Sequence, residues 1–378
     1  MRIGLLGYGV VGAGVDHLAQ RLEGVSVEKV LCLNVGDVPG GRGVADISAI
    51  IDDPEIDTVV EAMGGLHPAW EFASGALKAG KHYITANKAL VSAFLPELVE
   101  LAKENGVALR CTAAVGGGIP WLVNIERCRR VDSIRRIHGI FNGTTNFILD
   151  AMHRDGAEFE RVLAQAQKLG YAEADPSADI DGDDVRRKLV ISTAAAFGKL
   201  IRESDVPMFG IRTVTAQDVL NFKALGKVCK LIARAESGEK IKASVEPVLI
   251  PAGAPESAVP ENFNLVTYES ENAGVQSFFG QGAGRYPTAY NVVQDCLDVC
   301  GGKNDFYTKQ YVAAEVDNRD VLRCYYVRTS ASDAWLQSVA ATQGDGYIVT
   351  RAVSQADFHA HVRELQSRDH RLFFAAVE

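Results

Sequence analysis

The chain has 378 residues, 47% hydrophobic and 23% charged, which is enough for two or three domains with sizeable cores and excludes a disordered chain or a small disulfide scaffold. Lysine and arginine number 39 against 48 aspartates and glutamates, a net charge of -9; this argues against nucleic acid or a membrane surface as partner, so an anionic ligand needs a local binding device. No apolar run approaches the ~20 residues of a membrane helix, the start MRIGLLGYGVVGAG lacks a signal peptide's basic region and cleavage site, and the seven cysteines form no CxxC, so the chain reads as cytoplasmic with free thiols.

In chain order, residues 2–6 read as a strand, and Val11, Val15, Leu18, Ala19 and Leu22 form a helical stripe over 10–22. Strands are expected at 27–35, 56–62, 82–86 and 107–114, with helices at 68–79 and 89–105 between them. Strands alternating with helices predict an α/β fold with a doubly wound parallel sheet. After Gly116-Gly117-Gly118-Ile119-Pro120 the pattern changes to α+β. A strand at 134–142 precedes helices at 143–154, 157–169, 185–198 and 215–236, and strand-like segments follow at 242–250 and 264–279. The glycine-rich stretch 280–284 precedes a helix at 288–300. The last part reads β-α-β-α-β, with strands at 322–327, 347–353 and 372–377 and helices at 333–342 and 355–365.

Gly7-x-Gly9-x-x-Gly12, with Tyr8, Val10 and Val11 between the glycines, closes the first strand and opens the first helix. Gly7 suits a tight turn, Gly9 a close backbone approach to a pyrophosphate, and Gly12 close packing of helix on strand. The helix start adds N–H groups and a positive dipole. Asn34 stands where an acidic residue would bind a ribose hydroxyl, with Asp37 a later candidate and Arg42 a distant one for a 2′-phosphate. The choice between NAD and NADP stays open. Lys88 follows the strand end at Thr85, where ligands meet open α/β sheets.

The densest chemistry runs from Gly170 and Tyr171 through Glu173 and Asp179 to Asp184 and Lys188. Asp184 and Lys188 are i,i+4 neighbours on a helix starting near Asp183, an arrangement that orients an ammonium for proton transfer. Glu173 and Asp179 suit a substrate ammonium. The polar turn Asn142-Gly143-Thr144-Thr145-Asn146 is either a helix cap or a ligand loop.

Taken together these motifs resemble the homoserine dehydrogenase family. The resemblance rests on GLLGYGVVGAG, EAMGG (61–65), GKHYITANKAL (80–90), AAVGGGIP (113–120), GIFNGTTNFIL (139–149), AQKLGYAEADPSADIDGDDVRRKL (166–189) and FGQGAGRYPTAYNVVQD (279–295). They follow in order over about 300 residues. The resemblance implies an NAD(P)-dependent, reversible conversion of L-aspartate 4-semialdehyde to L-homoserine in threonine and methionine biosynthesis, by a homodimer or homotetramer. Its catalytic group is then Lys188, Lys88 and Asp184. Glu173, Asp179, Gly170, Tyr171, Thr144 and Asn142 fall to the substrate, and the glycine loop with Asn34, Gly64, Lys88 and Gly284 to the cofactor.

It further implies a Rossmann-type dinucleotide-binding domain over 1–115, completed by about 286–318, and an α+β substrate and dimerisation domain over 116–285. A C-terminal unit at 319–378 is ACT-like but short, with one strand fewer than β-α-β-β-α-β. In this family a glutamate two residues before the AVGGG run binds a monovalent cation together with backbone carbonyls. Thr112 stands there, so a cation is doubtful, with the backbone of Val115 and Gly117 its remaining ligands. Two other readings fit the same residues: a dehydrogenase tailoring a related amino-acid aldehyde, and a cofactor-binding regulatory relative without turnover.

Overall fold

Strands buried on both faces need near-continuous apolar runs, and the first third of the chain supplies them in short pieces. In the computed structural model, which describes residues 1–303 and 311–378, these pieces are β1 (Arg2–Leu6), β2 (Ser26–Leu31), β3 (Gly43–Val44), β4 (Thr58–Glu61), β5 (His82–Thr85) and β6 (Leu109–Arg110). They pair in parallel in the order β3-β2-β1-β4-β5-β6, the order of a dinucleotide-binding Rossmann sheet. The helices α1 (Val10–Ala19), α2 (Ala69–Lys78) and α3 (Lys88–Glu104) connect them. One face of the sheet is covered by a core that includes Val15, Ala289 and Val292, the other by one that includes Ala73, Leu90 and Leu98.

By internal packing the chain divides into two units, one of residues 1–133, 190–199 and 280–312, the other of 134–189, 200–279 and 313–378. Residues 304–310, part of the stretch expected to complete the nucleotide domain, lie outside those described.

The second unit is a mixed sheet. Its strands are β7 (Ile134–Ile140), β8 (Lys227–Glu236), β9 (Lys242–Pro251), β10 (Phe263–Ser270), β11 (Gly274–Gln281), β12 (Leu322–Arg328), β13 (Ala340–Gly344), β14 (Tyr347–Thr350) and β15 (Phe373–Val377), in spatial order β11-β10-β7-β8-β9-β15-β12-β14-β13. The helix α4 (Gly143–Asp155) follows β7, and α5 (Asp183–Phe197) is divided between the two units.

Three sequence expectations are corrected here. The helix expected over 215–236 stops at Ala224; Gly226, at φ 68°, reverses the chain, and Lys227–Glu236 becomes a strand paired in full with β9. Ten consecutive antiparallel pairs outweigh a local helical stripe. The strand expected over 264–279 is a hairpin, turned at Gly274 with φ 69°. The helix expected over 333–342 ends at Val339, and Ala340–Gly344 pairs with Tyr347–Thr350 instead. That restores the strand thought missing. Apart from the two-residue strand Val353–Ser354, which pairs with β12, the C-terminal unit is β-α-β-β-α-β, and its four main strands lie in the order fourth, first, third, second. The fourth, β15, joins it to β9 in parallel.

Candidate active site

The nucleotide side is built mostly of backbone. Gly7 takes φ 92° and its N–H donates to Leu31 O at 2.9 Å, a conformation that suits glycine. A Cβ on Gly12 would run into the Gly7 carbonyl, whereas one on Gly9 would meet nothing within 4 Å. So Gly12 is required by packing, and Gly9 leaves the helix start open to a phosphate group. Val10 is exposed, as are Asn34, Gly64 and Gly284. Gly284, at φ 120°, caps the helix Arg285–Cys300.

Tyr8 and Arg42 both bond Asp16. The Tyr8 hydroxyl donates to Asp16 Oδ2 at 2.8 Å, and Arg42 makes a bidentate pair with Asp16, both bonds 2.8 Å. Burial pushes Asp16 up, but Arg42 and Tyr8 hold it below the usual carboxylate range. Arg42 also donates to Val27 O. Its guanidinium is therefore engaged with α1 and β2, which counts against Arg42 as a 2′-phosphate ligand.

Lys88 is the first residue of α3, and the residue before it is a working cap. Asn87 Oδ1 accepts from Ala89 N and Leu90 N, both at 3.1 Å, satisfying two of the helix's orphan donors. Its Nδ2 donates to Gly65 O at 2.7 Å and to Glu61 Oε1 at 3.3 Å. Glu61, at the C-terminal end of β4, is fully buried. It also accepts from Thr85 Oγ1 at 2.6 Å and Met63 N at 3.0 Å. Burial pushes this carboxyl up, and its hydrogen-bond donors pull only partly back. Sequence reading passed over Glu61 and Asn87. An asparagine directly before a helix was the available signal; nothing local marked Glu61.

In the second unit five groups from three segments meet. Asn142 caps α4, its Oδ1 accepting from Thr145 N at 2.8 Å. Its Nδ2 donates to Asp179 Oδ1 at 2.7 Å and to Asp184 Oδ2 at 2.9 Å. Lys188 Nζ lies 2.8 Å from Asp184 Oδ2 and donates to Phe141 O at 2.7 Å. Lys188 is 6% and Asp184 3% exposed. At such burial an ion pair persists only when its geometry is good and neighbours complete its hydrogen bonds. The asparagine and the carbonyl contribute such bonds here, and the i,i+4 pairing expected on the helix is present.

Thr144 Oγ1 donates to Tyr171 O at 2.6 Å, and the Tyr171 ring packs edge-on against Phe147. Gly170, at φ 77°, turns the chain out of the helix Phe159–Lys168. Glu173 is exposed and touches its surroundings through its backbone, Gln167 Nε2 donating to its carbonyl at 3.0 Å. Of the expected substrate residues, Asn142, Asp179, Thr144 and Tyr171 are therefore tied into the buried cluster or its rim; the Glu173 side chain stands outside it.

The donors around Thr112 do not fit a monovalent cation. Thr112 donates to Asp295 twice, from N to Oδ2 at 2.9 Å and from Oγ1 to Oδ1 at 2.6 Å. Arg110 Nε lies 3.1 Å from the same carboxylate. The carbonyl of Gly117 accepts from Asn291 Nδ2 at 2.6 Å.

With this geometry in hand, comparisons with known proteins agree on one family. Residues 7–112 match the family model described as "Homoserine dehydrogenase, NAD binding domain", and residues 120–297 the model described as "Homoserine dehydrogenase". The chain is similar to the homoserine dehydrogenase of Bacillus subtilis (strain 168), 37% identical over 354 residues that cover 88% of this chain and 82% of the relative. It is similar to that of Synechocystis sp. at 40% identity over 318 residues, covering 80% and 73%. Among solved structures, a homoserine dehydrogenase from Thiobacillus denitrificans superposes with a TM-score of 0.90 at 30% identity, covering 100% of this chain and 98% of the other.

Proposed function

Because the chain belongs to the homoserine dehydrogenase family, and so is an NAD(P)-dependent oxidoreductase acting on a CH–OH group, we propose that Lys188 is the proton-transfer group of its reaction. The observation that carries this is the buried Asp184–Lys188 pair, with Lys188 Nζ 2.8 Å from Asp184 Oδ2 and bonded to Phe141 O at 2.7 Å. The bound dinucleotide supplies or accepts the hydride. Reduction of the aldehyde of L-aspartate 4-semialdehyde leaves charge on oxygen, and an ammonium beside that oxygen stabilises it and delivers the proton. Asp184 and Phe141 O fix the direction of the ammonium; Asn142 fixes Asp184.

Lys88, at the start of α3, is assigned a catalytic role as well. Asp179 and Glu173 take the substrate's ammonium, with Thr144, Gly170 and Tyr171 around it. Gly7, Gly9, Gly12, Val10, Val11, Gly64 and Gly284 hold the cofactor by backbone, and Asn34 meets the adenosine ribose. The order of the C-terminal strands supports reading 319–378 as an ACT-like unit. No helix among the described residues is long and apolar enough to cross a membrane; a cytoplasmic homodimer or homotetramer suits the activity.

The test is reduction of NAD or NADP by L-homoserine, followed by absorbance, in the unmodified protein and in Lys188→Ala. The variant is expected to bind either dinucleotide and to lose about 100-fold or more of its turnover. Retention of more than about a tenth would leave general acid catalysis without this lysine.

A further inference from the structure

We infer that the side-chain amide of Asn291 does in this chain the work of a monovalent cation, gathering the backbone carbonyls of the 116–120 turn. The carbonyls of Gly117 and Ile119 converge on one point and accept from the same nitrogen, Asn291 Nδ2, at 2.6 and 3.0 Å. Asn291 is 2% exposed. A carboxamide nitrogen carries two protons, one for each carbonyl. A bare cation would satisfy the same two oxygens, but only by shedding water and displacing the amide.

The surroundings fit the amide. Gly116 and Gly117, at φ 85° and 54°, bend the chain tightly, and Ile119 N donates back to Gly116 O at 2.8 Å. Gly118 N donates to Gln281 O at 3.0 Å. A Cβ on Gly117 would lie 2.5 Å from the carbonyl of Gly282, so the two glycine-rich stretches lie backbone against backbone. One helical turn beyond Asn291, on the same helix face, Asp295 accepts both Thr112 bonds and faces Arg110. The local carboxylate is thus neutralised by an arginine of the protein, and the carbonyls are satisfied by an amide of the protein. This holds whether or not Lys188 is the proton-transfer group, since its readout is the stability of the turn.

The experiment compares melting temperatures in sodium, potassium and choline chloride at one ionic strength, for the unmodified protein, Asn291→Ala and Asn291→Asp. The unmodified protein is expected to melt at the same temperature in all three salts. Asn291→Ala takes from the buried Gly117 carbonyl its side-chain donor and leaves Ile119 O with the Trp121 N–H alone, and should melt several degrees lower. Asn291→Asp places a carboxylate at the same point and should melt higher in sodium or potassium than in choline. The inference is overturned if the unmodified protein melts higher in sodium or potassium than in choline, or if Asn291→Ala melts like the unmodified protein. The first of these needs no variant to fold.

Discussion

Each unit contains an asparagine that caps a helix with one end of its amide and holds a buried acid with the other. In the nucleotide unit Asn87 caps α3 and reaches Glu61; in the second unit Asn142 caps α4 and reaches Asp179 and Asp184. The difference lies in what the acid faces. Asp184 has a lysine ammonium at 2.8 Å. Glu61 has the neutral donors of Thr85, Met63 and Asn87, and burial pushes it up. The same side-chain amide device thus holds an acid that accepts from Thr85 and Met63 in one unit and an acid paired with Lys188 in the other.

Removing the acid that faces the lysine should have the largest effect. Breaking a buried pair leaves an uncompensated charge, at a cost of about 3–5 kcal/mol. Asp184→Asn is expected to lower turnover with L-homoserine by roughly 100-fold and to melt lower than the unmodified protein, while dinucleotide binding, measured by fluorescence titration, persists. An equal loss of dinucleotide affinity would place Asp184 with the nucleotide instead.

The two caps separate next. Asn142→Ala loses a cap worth ~1 kcal/mol and two hydrogen bonds to carboxylates, each worth about 1.5–3 kcal/mol. Asn87→Ala loses a cap, a bond to the neutral carbonyl of Gly65 and one long bond to Glu61. Denaturant titration should therefore find Asn142→Ala the less stable of the two, and initial rates should find it the slower. The comparison fails if Asn87→Ala matches it in both.

Glu61 gives the comparison a pH signature. Because its folded carboxyl titrates above an ordinary glutamate, the folded state holds the proton over a window that starts near ~4.3. The stabilisation from holding it is complete below that window and is lost as pH rises through the raised value. Glu61→Gln removes this titration. Its stability relative to the unmodified protein should improve as pH rises through the window, and a flat difference between pH 4 and 8 would show that Glu61 titrates like a free carboxylate. A smaller effect is expected from Glu173→Gln, whose side chain is exposed: a higher KM for L-homoserine, with the KM for dinucleotide unchanged. An unchanged homoserine KM would remove Glu173 from the substrate site.

What the sequence made legible was local. The glycine loop could be read because its spacing is local, Gly12 packing on the Gly7 carbonyl. Asp184 and Lys188 could be read because a helix sets i,i+4 groups side by side. What it hid depends on distant partners. Glu61 meets Thr85 across 24 residues and Asn291 meets Gly117 across 174, and no spacing rule connects them. Lys227–Glu236 looked helical because its stripe was judged alone, without the strand Lys242–Pro251 that pairs with it. The C-terminal strand Ala340–Gly344 was missed for the same reason, being fixed by its hairpin partner.

If Asn142 acts on the reaction through Asp184 and Lys188, a double-mutant cycle read by turnover shows the coupling. Turnover with L-homoserine is measured for the unmodified protein, Asn142→Ala, Lys188→Ala and the double variant. Asn142→Ala should cost about tenfold when Lys188 is present and almost nothing once it is gone, since groups that act as a unit are not additive. The same tenfold loss in both backgrounds would mean that Asn142 supports the fold alone, and the account of the cluster would be wrong.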